Sequence, residues 1–471
     1  MKTLFSLPIP LSALGIGAAL SACALTGCLH DSGEEKPPAE KTPLLLYVGG
    51  ATRIAAYDLQ TGSQKAGEIG DVGGLTDMTA LDDASLLVNS GAKNQIIIFD
   101  GKTMLEKSRI ASKTGGLKPT HGFLTTPMDG QQYFAAMFDG GGTASTNSAV
   151  FIDADPKSEK YLQYLGEAGL GSGHHKAAFS KNKARASISN IADCAEVVTV
   201  LDYSDPSDIQ RIAAISAADL GFDGSSPEKT CGSGGVSLSP HGSATAAMSG
   251  RAYHNLTGIG KILSVDQDAS APQGRLLDTE GKGAGYTKGL AGSDYVYSLQ
   301  NHPREGSATH PGEVCQVGQI VVIDGALDSV VNQVPVLLTG PDCQDSLPAI
   351  FKNTGLDHMT IIPSAHRLYV LGGNGDTAGY SMHRHVFDVT DPKHPRQLPS
   401  IEVGKSRGHH PETLSGDGKW LIEGDNLDNT VTVIDVEAGK VAKTFGVVNA
   451  PSTLSTWGEV EGPSHPTGPV E

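Results

Sequence analysis

One pattern recurs eight times along the chain: a short, mostly apolar alternating run that ends in aspartate and is followed by a turn. Successive aspartates are 42 to 64 residues apart, about the length of a four-stranded propeller blade with its loops. Such a repeat predicts one ring of β-sheets. The eight runs end at Asp58, Asp100, Asp153, Asp202, Asp266, Asp324, Asp388 and Asp435.

Each repeat reads as four strands, A to D, with the aspartate at the end of strand C. The 59 glycines and 26 prolines, spread along 471 residues, argue against a helical bundle. We therefore predict an all-β fold, a single eight-bladed β-propeller of four-stranded blades. Two unrelated β domains are the alternative, but no Pro-rich or charged linker interrupts the repeat near its middle.

The two ends of the repeat are incomplete in a complementary way. The first blade lacks a strand A before Leu44, and residues 451–457 follow the last strand D without a blade of their own. A terminal strand that completes the first blade would leave no exposed sheet edge. We expect the ring to close in this way.

The N-terminus reads as a lipoprotein export signal. Lys2 precedes an uncharged, largely apolar stretch that ends in Leu25-Thr26-Gly27-Cys28, and Cys23 follows a similar small-residue pattern. We expect a signal peptide at 1–27, lipid on Cys28 with Cys23 as the alternate, a flexible tether at 28–43, the propeller at 44–460 and a tail at 461–471. An uncleaved membrane anchor is the alternative. The predicted location is the periplasm, anchored to the outer or inner membrane.

The charge balance restricts the partners. With 35 Lys and Arg against 52 Asp and Glu, the formal net charge is −17, which repels the phosphate backbone of nucleic acids and favours cations. We expect no nucleic-acid partner, membrane contact only through the lipid, and a monomer.

Histidines recur at the start of the candidate A strands. Because strand A is innermost in a blade, these side chains would ring one mouth of the central channel. Imidazoles converging from separate blades are typical of a site for Zn(II), although Cu(II) or Ni(II) accept the same donors. We expect His121, His175, His358 and His410 as ligands, His174 and His409 as alternates within their doublets, and Asp77 as a carboxylate ligand or a partner that orients an imidazole.

Other histidines carry a weaker signal. His383 and His385 share one face of a strand and are expected to face solvent, with a low-affinity metal pair as the alternative. His302 and His310 lie in a Pro/Gly-rich stretch that reads as an ordinary loop insertion. His241, within Ser-Pro-His-Gly, reads as part of an A–B turn on the opposite face.

Four cysteines remain after the signal. Cys194 and Cys315 fall in predicted B–C loops, whereas Cys231 and Cys343 fall in D–A connectors on the same face. An exported protein favours disulfides over free thiolates. We predict the pairs Cys194–Cys231 and Cys315–Cys343; thiolate metal ligands are the alternative.

An exported eight-bladed propeller with Gly-His-His-Lys, Asp-His-Met and Gly-His-His-Pro-Glu at its mouth resembles the AztD-type periplasmic zinc metallochaperones. The likeness runs from about Leu44 to Trp457. It implies zinc binding and handover to the solute-binding protein of a zinc ABC transporter. The lipobox and the absence of a His-rich run in the tether depart from that family.

Two other function classes stay open. The first is a propeller metalloenzyme. It could be a hydrolase that uses Glu412 beside an open metal position, or a redox enzyme. The chain has no Cys-x-x-Cys-His for c-type haem and only two tryptophans, against a quinoprotein. The other class is a metal-independent scaffold resembling YVTN or WD-repeat surface propellers.

Overall fold

The computed structural model describes residues 44–65, 67–140, 146–281, 283, 285–301, 314–339, 356–372, 382–406, 411–448 and 450–457. Its strands, numbered β1 to β32 in chain order, form eight sheets, each of which is one blade. Seven blades have at least four strands, and blade 1 has three. The predicted eight-bladed β-propeller is confirmed.

The strands fall into blades as follows. Blade 1 contains β1 (Leu45–Gly49), β2 (Ile54–Asp58) and β32 (Thr453–Trp457). Blade 2 contains β3 (Leu75–Ala80), β4 (Ser85–Ser90), β5 (Gln95–Asp100) and β6 (Leu105–Ile110). Blade 3 contains β7 (Pro119–Leu124), β8 (Tyr133–Phe138), β9 (Ser148–Asp153) and β10 (Tyr164–Gly169). Blade 4 contains β11 (His175–Phe179), β12 (Arg185–Asn190), β13 (Val198–Asp202) and β14 (Gln210–Ile215).

The second half of the ring repeats this plan. Blade 5 contains β15 (Pro240–Thr245), β16 (Ala252–Leu256), β17 (Lys261–Val265) and β18 (Gly274–Asp278). Blade 6 contains β19 (Thr287–Gly289), β20 (Tyr295–Asn301), β21 (Val314–Asp324) and β22 (Ser329–Thr339). Blade 7 contains β23 (Leu356–Ile362), β24 (Arg367–Gly372), β25 (Met382–Asp388), β26 (Arg396–Gln397) and β27 (Ile401–Val403). Blade 8 contains β28 (Glu412–Leu414), β29 (Trp420–Asp425), β30 (Thr430–Asp435) and β31 (Lys440–Gly446).

Helical structure is minor in the described residues. Three short 3-10 helices lie at Ala218–Leu220, Pro227–Lys229 and Pro363–Ala365. Within these parts of the chain, no helix is long and apolar enough to cross a membrane.

The recurring aspartates end their strands for a local chemical reason. In seven of the eight blades the carboxylate accepts a backbone N–H from the turn that follows, as Asp100 does from Lys102 and Thr103 at 3.0 and 2.9 Å. These hydrogen bonds lower the pKa of Asp388 to about 2, the neighbouring Thr390 hydroxyl and amide being the largest cause. The aspartate is therefore a strand-ending signal that sequence alone can reveal.

The core consists of eight apolar clusters, each between two neighbouring blades. Strands B and C are buried on both faces because a blade is sandwiched between its neighbours, whereas outer strands such as β6 and β31 are largely exposed. The clusters continue around the ring from blades 1 and 2 to blades 8 and 1. No single blade could bury these faces alone.

The C-terminal strand closes the ring, as predicted. Strand β32 pairs antiparallel with β1 in the register Leu45 to Trp457 and takes the innermost place of blade 1. Ser455 Oγ accepts the Ala80 amide of blade 2 at 2.9 Å. Thr456 in turn donates to a carbonyl of blade 8. This strand therefore ties together three blades.

The export signal and the tether, including Cys23 and Cys28, lie outside the described residues, as do the tail and the histidines His302 and His310. These expectations stay predictions.

Candidate functional site

β-Bulges mark the channel mouth in four blades. The pairing of strand A with strand B shifts register at Leu75 to Asp77, Pro119 to His121, Pro240 to Ser243 and Leu356 to Met359. A bulge places an extra residue on strand A and re-aims the side chains around it, a device that is common next to functional sites. The bulged segments carry Asp77, His121, His241 and His358.

His121 and His174, on adjacent blades, meet at this mouth. Their Nε2 atoms are 2.8 Å apart, and the two rings pack edge to face with centroids 4.4 Å apart. Two imidazole nitrogens on one tetrahedral zinc ion would be about 3.3 Å apart, given Zn–N distances of 2.0–2.1 Å. A shift of about half an ångström would therefore convert this hydrogen-bonded pair into a pair of metal ligands.

Asp139 holds both members of the blade 4 doublet. It follows strand β8, is 9% exposed, and accepts from Nδ1 of His174 at 3.0 Å and Nδ1 of His175 at 2.7 Å. Burial alone would raise the pKa of Asp139, but the hydrogen bonds from the two histidines outweigh it and hold that pKa well below its ordinary value. The carboxylate is thus ionised at neutral pH.

The two histidines of the doublet point in different directions. His175 is fully buried, and its Nε2 lies 3.1 Å from the Gly171 carbonyl oxygen. Both of its ring nitrogens therefore face oxygen acceptors. His174 is about one-third exposed and directs Nε2 to His121. The geometry favours the alternate ligand His174 over the expected His175.

The structure places His241 at the mouth, so its prediction as an A–B turn residue on the opposite face is wrong. His241 lies at the start of strand β15, and its ring stacks on His174 with centroids 5.6 Å apart and an interplanar angle of 16°. A Cβ at Gly285 would lie 1.9 Å from His241 Nδ1, so glycine is required there. Blade 5 therefore adds a further imidazole to the mouth.

An arc of aromatic rings continues from His241 around the mouth. Tyr286 of blade 6 contacts His241 at 6.1 Å between centroids, and His358 of blade 7 lies 4.2 Å from Tyr286. Blades 3 and 7 are opposite each other in an eight-bladed ring. His358 is therefore separated by Tyr286 from the group formed by His121, His174 and His241.

Asp77 supports the backbone beside the histidine pair. Its Oδ2 accepts the Gly122 amide at 2.8 Å, and its Oδ1 accepts the Met78 amide at 2.8 Å. Gly122 directly follows His121, so this buried carboxylate fixes the peptide that carries the imidazole. Neither of the two roles expected for Asp77, metal ligand or direct partner of an imidazole, is tested by these backbone contacts.

Blade 8 contributes a buried ionic cluster. Arg384 donates to Glu412 and Glu423, Thr360 donates to Glu412, and the three charged side chains are at most 1% exposed. Glu412 is thus held within this cluster by Arg384 and Thr360. His409 and His410, which precede it, lie outside the described residues.

His385 is buried, so the expectation of a solvent-facing pair with His383 is wrong for this residue. Its Nδ1 lies 3.0 Å from Ser400 Oγ, and its ring fills the space beside Gly372. Burial lowers the pKa of His385 to about 3, so the ring is neutral.

The disulfide Cys194–Cys231 is present and braces the mouth. Cys194 lies in the loop from β12 to β13, where Ile191 donates to the His174 carbonyl and Ala192 to the Ser172 carbonyl. Cys315 lies within strand β21, so its prediction as a B–C loop residue is wrong, because that strand begins at Val314. Cys343 lies outside the described residues, and the pair Cys315–Cys343 stays a prediction.

No group of three or more His, Cys, Asp and Glu side chains is placed to hold a metal ion among the residues that the structure describes. At the mouth, His121 and His174 bring two imidazole nitrogens to within 2.8 Å of each other. A third imidazole, His241, stacks beside them.

Together the fold and the mouth define an eight-bladed propeller with histidines from three consecutive blades at one channel opening. No protein-family model and no curated protein matches this chain. Two structures of AztD from Citrobacter koseri, one of them apo, share its fold, each with a TM-score of 0.54, 16% identity and coverage of 90% of this chain and 100% of theirs. A functionally unknown protein from Desulfotomaculum acetoxidans DSM 771 is similar at a TM-score of 0.50 and 12% identity, covering 88% of this chain and 99% of its own. At these identities the likeness establishes the propeller fold.

Asp139 and Tyr286 were not identified from the sequence. Asp139 directly follows a strand B, at the mouth side, within Phe-Asp-Gly. His241 did carry a signal: it precedes Asp266 by 25 residues, the same separation as His410 from Asp435.

Proposed function

We propose that this protein is an exported metal-binding propeller that carries Zn(II) at its channel mouth and passes it to a solute-binding protein. The observation that supports the proposal most is the pair of Nε2 atoms of His121 and His174, 2.8 Å apart, with a carboxylate behind one of them. Carboxylate–imidazole–metal arrangements are the usual way in which proteins orient a histidine ligand.

The donor set favours zinc. Imidazole nitrogen is a preferred ligand of Zn(II), and two of the thiols are oxidised to a disulfide and so cannot bind the ion. Cu(II) and Ni(II) accept the same donors and are the alternative cargoes. His241 is the candidate for a third ligand, because it is the next imidazole at the mouth, with its ring centroid 5.6 Å from that of His174.

Transport, not permanent retention, suits ligands of this kind. The three imidazoles come from three different blades, and His174 is partly exposed to solvent at the mouth. An ion held there by few ligands keeps open coordination positions that an acceptor protein can occupy. The resemblance of the histidine motifs to the AztD-type chaperones points to the solute-binding protein of a zinc ABC transporter as that acceptor.

The proposed location is outside the cytoplasm. A structural disulfide persists in oxidising compartments such as the periplasm. The lipid anchor on Cys28 is part of this proposal.

A carrier is favoured over a metal-assisted hydrolase. The carboxylate expected to act as a base, Glu412, is fully buried and bonded to Arg384 and Thr360. A base that receives a proton from water must reach that water.

The test is zinc affinity, measured by competition with a chromophoric chelator on the metal-free protein. We expect about one zinc per chain, with His121→Ala and His174→Ala each weakening binding at least about 100-fold, since losing even an outer partner of a ligand costs 10–100-fold. The matched control is His394→Ala, an exposed histidine paired with Asp391 in the turn after β25. Wild-type protein that binds no zinc would refute the proposal and leave the scaffold function.

A further inference from the structure

Asp139 binds two histidines with its two oxygens, and each of them takes a different ring. Oδ2 faces Nδ1 of His174 and Oδ1 faces Nδ1 of His175. An ionised carboxylate only accepts hydrogen bonds, so both Nδ1 atoms carry a proton. The position of this proton determines what the other ring nitrogen of each histidine can do.

We propose that Asp139 is a positioning residue that fixes His174 in the Nδ1–H tautomer and so keeps the lone pair of Nε2 directed at the metal position beside His121. The inference rests on the proposed function and deepens it. A neutral imidazole with its proton on Nδ1 has an unprotonated Nε2, the form that binds a metal. Nε2 of His174 is the atom that lies 2.8 Å from His121.

His175 serves as the anchor of this arrangement. Its ring is fully buried, with Nδ1 facing Asp139 Oδ1 and Nε2 facing the Gly171 carbonyl oxygen, so both ring nitrogens are engaged and none is left for a metal. Asn147 donates to the same carbonyl at 2.7 Å. With one oxygen held in this way, Asp139 cannot turn away from His174.

The proton balance at His121 follows. In the metal-free state the Nε2–H group of His121 donates a hydrogen bond to the lone pair on Nε2 of His174, across the 2.8 Å contact. When a metal binds, that proton leaves Nε2 and the ring takes up a proton on Nδ1 through solvent. The His121 ring thus changes tautomer, and no net proton is released.

The experiment compares Asp139→Asn with the wild type. An amide has only one accepting oxygen, and His175 needs it, so the amide NH₂ would face Nδ1 of His174 and move that proton to Nε2. We expect long-range ¹H–¹⁵N spectra of the metal-free protein to show His174 switching from the Nδ1–H to the Nε2–H tautomer. Zinc affinity should fall about 10–100-fold.

The control variant is Asp193→Asn. The Asp193 carboxylate accepts the Ser172 amide at 2.8 Å, in the segment just before His174, but it contacts neither the His174 ring nor the His175 ring. This variant should keep the His174 tautomer. An unchanged His174 tautomer and zinc affinity in Asp139→Asn would overturn the inference, even if the wild type binds zinc.

The wild-type spectrum decides the case in which Asp139→Asn does not fold. A proton on Nε2 of His174 in the metal-free wild type would overturn the inference, whereas a proton on Nδ1 supports it. If the tautomer is as expected but no zinc binds, the proposed function fails and the positioning role of Asp139 survives.

Discussion

The buried cluster between blades 7 and 8 permits a quantitative prediction for Arg384→Leu. Arg384 is fully buried and donates to Glu412 and Glu423, which are 1% and 0% exposed. Removing the guanidinium leaves two buried carboxylates without their cation, and breaking a buried pair costs about 3–5 kcal/mol. The alternative is that one carboxylate takes up a proton. For a glutamate of ordinary pKa, this costs about 3.7 kcal/mol at pH 7, a loss of similar size. We expect a loss of at least about 3 kcal/mol.

The assay is equilibrium urea unfolding followed by tryptophan fluorescence. The two tryptophans, Trp420 and Trp457, lie in blades 8 and 1, and Trp420 is on strand β29, which also carries Glu423. The control is Arg396→Leu, which removes an arginine 72% exposed and paired with Asp388 at 3.1 Å on the same blade. A surface pair of this kind contributes at most about 1 kcal/mol.

A third variant separates unpaired charge from lost packing. Replacing all three charged residues, as Arg384→Met with Glu412→Leu and Glu423→Leu, removes the buried charges together, and such replacements are often neutral or stabilising. It should recover most of the lost stability. A loss below about 1 kcal/mol in Arg384→Leu would refute the reasoning that the cluster is held together by this arginine.

Three further predictions concern stability elsewhere in the ring. His254 is fully buried between Ser187 and Ser243, and burial lowers its pKa to about 3. His254 therefore stays neutral in the folded state, whereas in the unfolded chain it binds a proton below about pH 6.5. Stability consequently falls as the pH drops from 6.5 towards 3. His254→Gln should remove about 1.4 kcal/mol per pH unit from that slope, measured by urea unfolding between pH 6 and 4; an unchanged slope would contradict it. Cys194→Ser should lower the free energy of unfolding by about 4 kcal/mol, because the disulfide closes a loop of 37 residues. It should also speed zinc release, because the loop that carries Cys194 is hydrogen-bonded to the segment that carries His174. Equal stability of the wild type with and without reductant would contradict this prediction. Deleting strand β32 should expose the edge of β1 and cause aggregation visible by light scattering, whereas a soluble monomer would contradict the closure role.

The fold was predictable because its signals are local. In seven of the eight blades the aspartate at the end of strand C accepts an amide of the next turn, so these turns can be recognised in the sequence. Ring closure followed from an incomplete first blade and a spare C-terminal strand. Both inferences needed only neighbouring residues and a count of strands.

The site was only partly predictable because its geometry depends on distant contacts. His121 and His174 were both identified, yet the choice within the blade 4 doublet depends on Asp139, 35 residues before His174 and on another blade. The positive φ of Gly173, +103°, sets the direction of the doublet. The residue pattern of strand A indicates neither the contact with Asp139 nor the backbone conformation of Gly173.

His241 was misplaced because its surroundings have the composition of a turn. Ser239 does adopt a left-handed conformation, with φ of 44°, and Pro240 follows it. The turn is real, but it connects blade 4 to strand β15 and lies at the mouth. The number of residues between His241 and Asp266 is what distinguishes a position at the mouth from one in an A–B turn.

The most direct test of the central claim is a zinc-edge anomalous diffraction map of crystals of this protein soaked with zinc. We expect one strong peak at the channel mouth, about 2.0–2.1 Å from Nε2 of His121 and Nε2 of His174. His175 should remain bonded to Asp139 and Gly171 in the same crystals. A zinc ion bound through His175, or no peak near His121 and His174, would show that His121 and His174 do not form the metal site.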